Sequence, residues 1–151
     1  MIQKTAAALL VLLLAFSLSA ALPAVSGETA VPEKDQPFLL QVTDDDPSAA
    51  YVLVRLPSGG GLLPLPLEGE YTRTVRQVMA DGTEAVNVLH LTSEGFWMED
   101  ANCPNHDCVS EGMVTLENRE ERVLWNMVIC LPHQFSAELI TREEALALFS
   151  Y

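Results

Sequence analysis

The chain has 151 residues, 21 acidic side chains against 8 basic ones, and a net charge of −13 at neutral pH. Proteins that grip DNA or RNA neutralise phosphates with lysine and arginine, and anionic lipid surfaces attract the same residues. This balance excludes nucleic acid as a ligand and argues against docking on lipid head groups.

Lys4 is the only charged residue in the first 26, and residues 5–25 are an uncharged, leucine- and alanine-rich run ending near Ala24 and Ser26. A basic start, an apolar middle and a small-residue end make an export signal. Residues 1–26 therefore read as a signal peptide or, if uncut, a membrane anchor helix. The rest of the chain is expected outside the cytoplasm, secreted or tethered to the cytoplasmic membrane. It touches the membrane only through that segment. Without Lys4 its charge is −14, which keeps the surface soluble.

Residues 27–36 are polar and read as a linker, leaving 37–151 as one domain. Residues 38–42 form a first strand candidate, broken by the turn chemistry of Asp44, Asp45, Asp46 and Pro47. Calcium loops space their ligands on alternate positions around a glycine, so the aspartates read as a solvated turn. Residues 51–56 alternate, with Val52, Val54 and Leu56 on one face and Tyr51, Leu53 and Arg55 on the other. Ser58 to Gly61 lack the lysine and following helix of a phosphate-binding loop and read as a flexible turn. Residues 70–79 are β-prone, and Asp81-Gly82 signals a tight hairpin into a strand over 86–92. Ser93, Glu94 and Gly95 then turn into 96–99, with Gly95 suited to a left-handed position. Strands follow at 123–130 and 135–140. Thr141 with Glu144 forms a capping box for a short C-terminal helix. Short, closely spaced strands joined by turns predict an all-β domain, a compact antiparallel β-sandwich or barrel-like fold.

All three cysteines, Cys103, Cys108 and Cys130, and two of the three histidines, His106 and His133, lie between residues 101 and 135. The pattern is Cys103-Pro104-Asn105-His106-Asp107-Cys108-Val109-Ser110-Glu111-Gly112, a spacer, then Val128-Ile129-Cys130-Leu131-Pro132-His133. This resembles the NusG domain II family of small, exported or membrane-anchored bacterial proteins, over residues 51–140. The resemblance implies a compact antiparallel β domain and no activity, although some members resemble accessory proteins of membrane electron-transfer systems. The charged spacer Glu117 to Arg122 and the C-terminal helix depart from the family pattern.

Three readings of the cysteines stand open. A disulfide would close either the short Cys103–Cys108 loop, for about 2 kcal/mol, or a longer loop to Cys130, for about 3.5 kcal/mol, leaving one buried thiol. A metal or iron–sulfur site would draw on Cys103, Cys108, Cys130, His106 and His133, in the manner of a three-Cys, one-His zinc site or a Rieske centre. A thiol–disulfide switch would use the same sulfurs, although Cys103 and Cys108 have neither the usual spacing nor an evident helix N-terminus. The ends of strands in a sandwich lie close together, so the three sulfurs are expected to cluster, with both histidines at the border.

No catalytic signature is present: there is no nucleophile elbow, metalloprotease helix or dinucleotide fingerprint. The expected function is an interaction or accessory module of the cell envelope, with an unidentified envelope protein as partner and no cofactor. The alternative is a redox or electron-transfer accessory built on the cysteine–histidine constellation.

Overall fold

The structure, a computed structural model, describes residues 38–149. The expected export segment and linker lie outside the described residues. Among the described residues, no helix is long and apolar enough to cross a membrane.

Among the described residues, eight strands and two helices follow one another: β1 Ala50–Leu56, β2 Gly59–Pro64, β3 Glu70–Val78, β4 Glu84–Thr92, β5 Gly95–Ala101, α1 Asp107–Ser110, β6 Val114–Thr115, β7 Met127–Cys130, β8 Phe135–Thr141 and α2 Arg142–Phe149. They build two four-stranded antiparallel sheets, in the orders β2-β1-β8-β7 and β3-β4-β5-β6. The sheets face each other across a shared core. Val52, Val54, Val128, Phe135, Ala137 and Leu139 enter it from the first, and Tyr71, Val75, Leu89, Leu91, Phe96 and Met98 from the second. The expected all-β, sandwich-like architecture is present.

Alternation along β1 explains its depth. Val52 and Val54 point to the shared core, while Tyr51 and Leu53 join Leu62, Ile140 and Ala145 in a second apolar cluster on the outer face. That outer cluster is covered by Leu39, Val42 and α2. The helix is held at its start by the expected capping box. The Thr141 hydroxyl accepts from the Glu144 amide at 3.1 Å, and the Glu144 carboxylate accepts from the Thr141 amide at 2.7 Å.

Several expectations are corrected. The glycine run is not a free turn: Gly59, Gly60 and Gly61 open β2, and a Cβ on Gly60 would meet the Val54 carbonyl at 2.0 Å. Glycine is chosen there because two backbones must approach closely. Residues 38–42 form only a bridge from Leu39 to Leu62. Gly95 is not left-handed; a Cβ there would lie 1.9 Å from the Val114 carbonyl, so it too is fixed by close approach. The strand expected over 123–130 shortens to Met127–Cys130. The alternation before it is not read out in a sheet, since Trp125 takes a left-handed backbone (φ 55) and Val123 is 98% exposed.

Arg122 causes that shortening. Its guanidinium donates to the carbonyls of Glu111, Gly112, Trp125 and Met127 at 2.7 to 3.4 Å. The charged spacer thus folds back on the loop after α1 instead of extending. β7 starts at Met127, whose carbonyl is the last that Arg122 holds.

Candidate functional site

The two halves of the cysteine motif arrive from different sheets. Cys103 lies two residues beyond the end of β5. The chain then turns through Pro104 and Asn105, and His106 takes a left-handed backbone (φ 54) to start α1. Cys108 is the second residue of that four-residue helix, which packs against both β5 and β7. The loop setting expected for Cys108 is therefore corrected to a single helical turn. Cys130 ends β7 in the other sheet, paired with Phe135 across the hairpin that carries Leu131, Pro132 and His133.

The three sulfurs meet. All of them lie within 4.8 Å of one another, and Cys103 Sγ is 3.7 Å from Cys108 Sγ. Each cysteine is at most 2% exposed. All three are free thiols, and 3.7 Å is far beyond the roughly 2.05 Å of an S–S bond, so the expected disulfide is not formed. Burial pushes the Cys108 and Cys130 thiols up. On Cys108 the neighbouring sulfurs of Cys130 and Cys103 add to that rise. On Cys130 the opposing pull comes from the Asn87 side chain, the His133 backbone and the Cys108 thiol.

The histidines do not complete a ligand set. His133 is buried, but its Nδ1 is 2.9 Å from Asn87 Oδ1. His106 is exposed at the helix start and makes no side-chain cap. No histidine nitrogen or carboxylate joins the three sulfurs among the described residues. The three-Cys, one-His and Rieske arrangements are thereby corrected to a centre of sulfur alone. Burial lowers the affinity of His133 for a proton, and since Asn87 Oδ1 can only accept, Nδ1–H donates to it. Pro104 and Pro132 are exposed in the two turns, and Gly112 takes the left-handed position (φ 75) that ends the α1 segment.

Asn87 is the residue that the sequence did not announce. It sits on the inward face of β4 between Ala85 and Leu89, fully buried, just before a bulge at Val88/Leu89. Its amide accepts from His133 and donates toward Met98 Sδ at 3.6 Å as well as toward Cys130. A polar residue on the apolar face of a strand was the available signal. Buried amides must be hydrogen-bonded, and this one is satisfied by the cysteine hairpin.

A cleft of about 230 Å³ lies over the buried Cys108 and Cys130, lined also by Asn105, Asp107, Glu111 and Leu131 among others. Glu111 accepts the Ile129 amide at 3.0 Å, and burial raises its carboxyl. The larger cleft of about 490 Å³ lies elsewhere, by Trp125, Glu138 and Glu144, and its Arg119 is paired with Glu144 at 2.9 Å. It holds no sulfur.

No protein-family model matches the chain, and no curated protein does. Among solved structures, the chain is similar to the solution structure of the Lin0431 protein from Listeria innocua. The identity is 15%, over 68% of this chain and 82% of that one, with a TM-score of 0.50. The crystal structure of the same protein gives 16% identity over 63% and 99%, with a TM-score of 0.48. A DUF1312 family protein from Enterococcus faecalis gives 16% over 62% and 98%, with a TM-score of 0.47. The likeness to the solution structure is one of fold alone. These findings correct the NusG domain II resemblance: no family model matches, and the similar solved structures that carry a family name are DUF1312 proteins.

Proposed function

We propose that this chain is an extracytoplasmic accessory domain of the cell envelope whose working part is the buried three-sulfur centre. The observation that carries the reading is the convergence of Cys103, Cys108 and Cys130 from both sheets to within 4.8 Å. A small hydrophobic core is filled more simply with alanine or valine. Placing three thiols together in it exposes the protein to oxidation and metal capture wherever the surroundings are oxidising. Residues 1–26 support the location, since their pattern is that of an export signal. The partner, on this reading, is another envelope protein that meets the cysteine end of the sandwich, where Leu131 is 80% exposed.

The test is thiol trapping in intact cells. Alkylation of the full chain, before and after a shift in external redox potential or a load of thiophilic metal, is expected to show Cys103, Cys108 and Cys130 changing together. An identical pattern under all conditions overturns the sulfur-centred reading. Recovery of the full-length protein from the cytoplasm overturns the location.

A further inference from the structure

We propose that Cys103, Cys108 and Cys130 form a three-coordinate, all-thiolate site for one Cu(I) ion; the proposal rests on the sulfur-centred reading and names its ligand.

The spacing comes first. An ion about 2.3 Å from each sulfur, the usual metal–thiolate distance, holds neighbouring sulfurs roughly 3.8–4.0 Å apart. Cys103 and Cys108 are already at 3.7 Å, and every pair is within 4.8 Å. Loading therefore needs only a small inward movement of side chains, with the backbone as it stands.

Ligand type and number choose the ion. Soft thiolates select Cu(I), zinc or iron–sulfur clusters. Zinc sites are four-coordinate, with a fourth protein ligand or a water. Here the centre is sulfur alone, each cysteine is at most 2% exposed, and the nearby imidazole of His133 is held by Asn87. Three sulfurs in a dry setting suit an ion content with three soft ligands.

Burial favours the protonated thiols, and polar groups beside Cys130 oppose it. The Asn87 amide and the His133 backbone each favour the Cys130 thiolate against its burial. Hydrogen bonds to sulfur are a recurring means by which proteins tune metal–thiolate centres. The cleft over Cys108 and Cys130 carries Asp107 and Glu111, which attract a cation toward the sulfurs. Binding releases the three thiol protons to solvent and leaves copper and sulfur in their starting oxidation states.

The experiment uses the reduced, folded full chain under anaerobic conditions, titrated with Cu(I) against a Cu(I)-specific chelator, with Ag(I) and Zn(II) as separate arms. One Cu(I) or one Ag(I) per chain is expected by native mass spectrometry, with a sulfur-to-copper absorption band in the ultraviolet. Substituting Cys130→Ser is expected to abolish the band. Asn87→Leu, which touches the sulfur but supplies no ligand, is expected to weaken binding about 10–100-fold. Because either variant can lose its fold, the wild-type stoichiometry decides the matter on its own. Failure to hold Cu(I) against the chelator, or binding of Zn(II) in preference to both soft ions, overturns the copper site. If copper fails while the thiols oxidise reversibly in the same protein, only this assignment falls. If the thiols respond to neither, the sulfur-centred reading falls with it.

Discussion

His133 Nδ1 and Asn87 Oδ1 stand 2.9 Å apart although 46 residues separate them in the chain. One lies at the tip of the β7–β8 hairpin and the other in the middle of β4, so this bond crosses from one sheet to the other. It also fixes the Asn87 amide so that its N–H groups face Met98 and Cys130.

Removing Asn87 leaves a buried ring N–H and a buried sulfur without their partners. Substituting Asn87→Ala is expected to destabilise the domain by about 1–3 kcal/mol, the cost of one stranded polar group, with the cavity adding to it. Urea denaturation of the two proteins measures the difference.

Burial lowers the His133 pKa, and this gives stability a pH dependence. The unfolded chain, with an ordinary histidine pKa of about 6.5, takes up the proton more readily than the folded one. The contribution is therefore fully present above that value and is lost as pH falls below it toward the folded pKa. Wild type should lose more stability between pH 7.5 and 5.5 than His133→Gln. The upward-shifted carboxyl of Glu111 is common to both and cancels in the comparison. Melting curves across that range check the sign.

Gly95 and Gly112 should respond differently to alanine. At Gly95 a Cβ falls 1.9 Å from the Val114 carbonyl, whereas at Gly112 nothing lies within 4 Å and only the left-handed backbone (φ 75) resists. Gly112→Ala is expected to cost about 1–2 kcal/mol. Gly95→Ala should cost more and should free β6 from β5. Amide exchange at Val114 and Thr115 distinguishes the two.

Arg122 holds four carbonyls with one planar guanidinium. Lysine offers a point charge without that fork, so Arg122→Lys should recover little of what Arg122→Ala loses, about 1.5–3 kcal/mol for bonds to a charged group. Thiol labelling of Cys130 should speed up in both variants, because the clasp sets where β7 begins.

Much of the frame was legible because it rests on local rules. Alternation in residues 51–56, the Asp81-Gly82 turn and the Thr141/Glu144 box each act within a few residues, and each appears in place. The convergence of the sulfurs was also within reach, since strand ends in a sandwich gather. The rest depended on distant partners. The glycines at 60 and 95 are dictated by carbonyls of Val54 and Val114, and sequence spacing carries no trace of them. The apolar run from Val123 reads as strand until Arg122 captures its carbonyls. His133 looked like a ligand because its partner, Asn87, is a lone polar residue in an otherwise ordinary strand.

Because Cys103 and Cys108 hang from one sheet and Cys130 from the other, the cluster exists only while the two layers are closed. A bulky thiol reagent reaches Cys103 only when the layers part, so its labelling rate under native conditions is a clock for whole-domain opening. Any ligand that spans the sulfurs slows that clock in proportion to its occupancy, since it binds the closed form alone. The three sulfurs thus report on whether the two layers are closed.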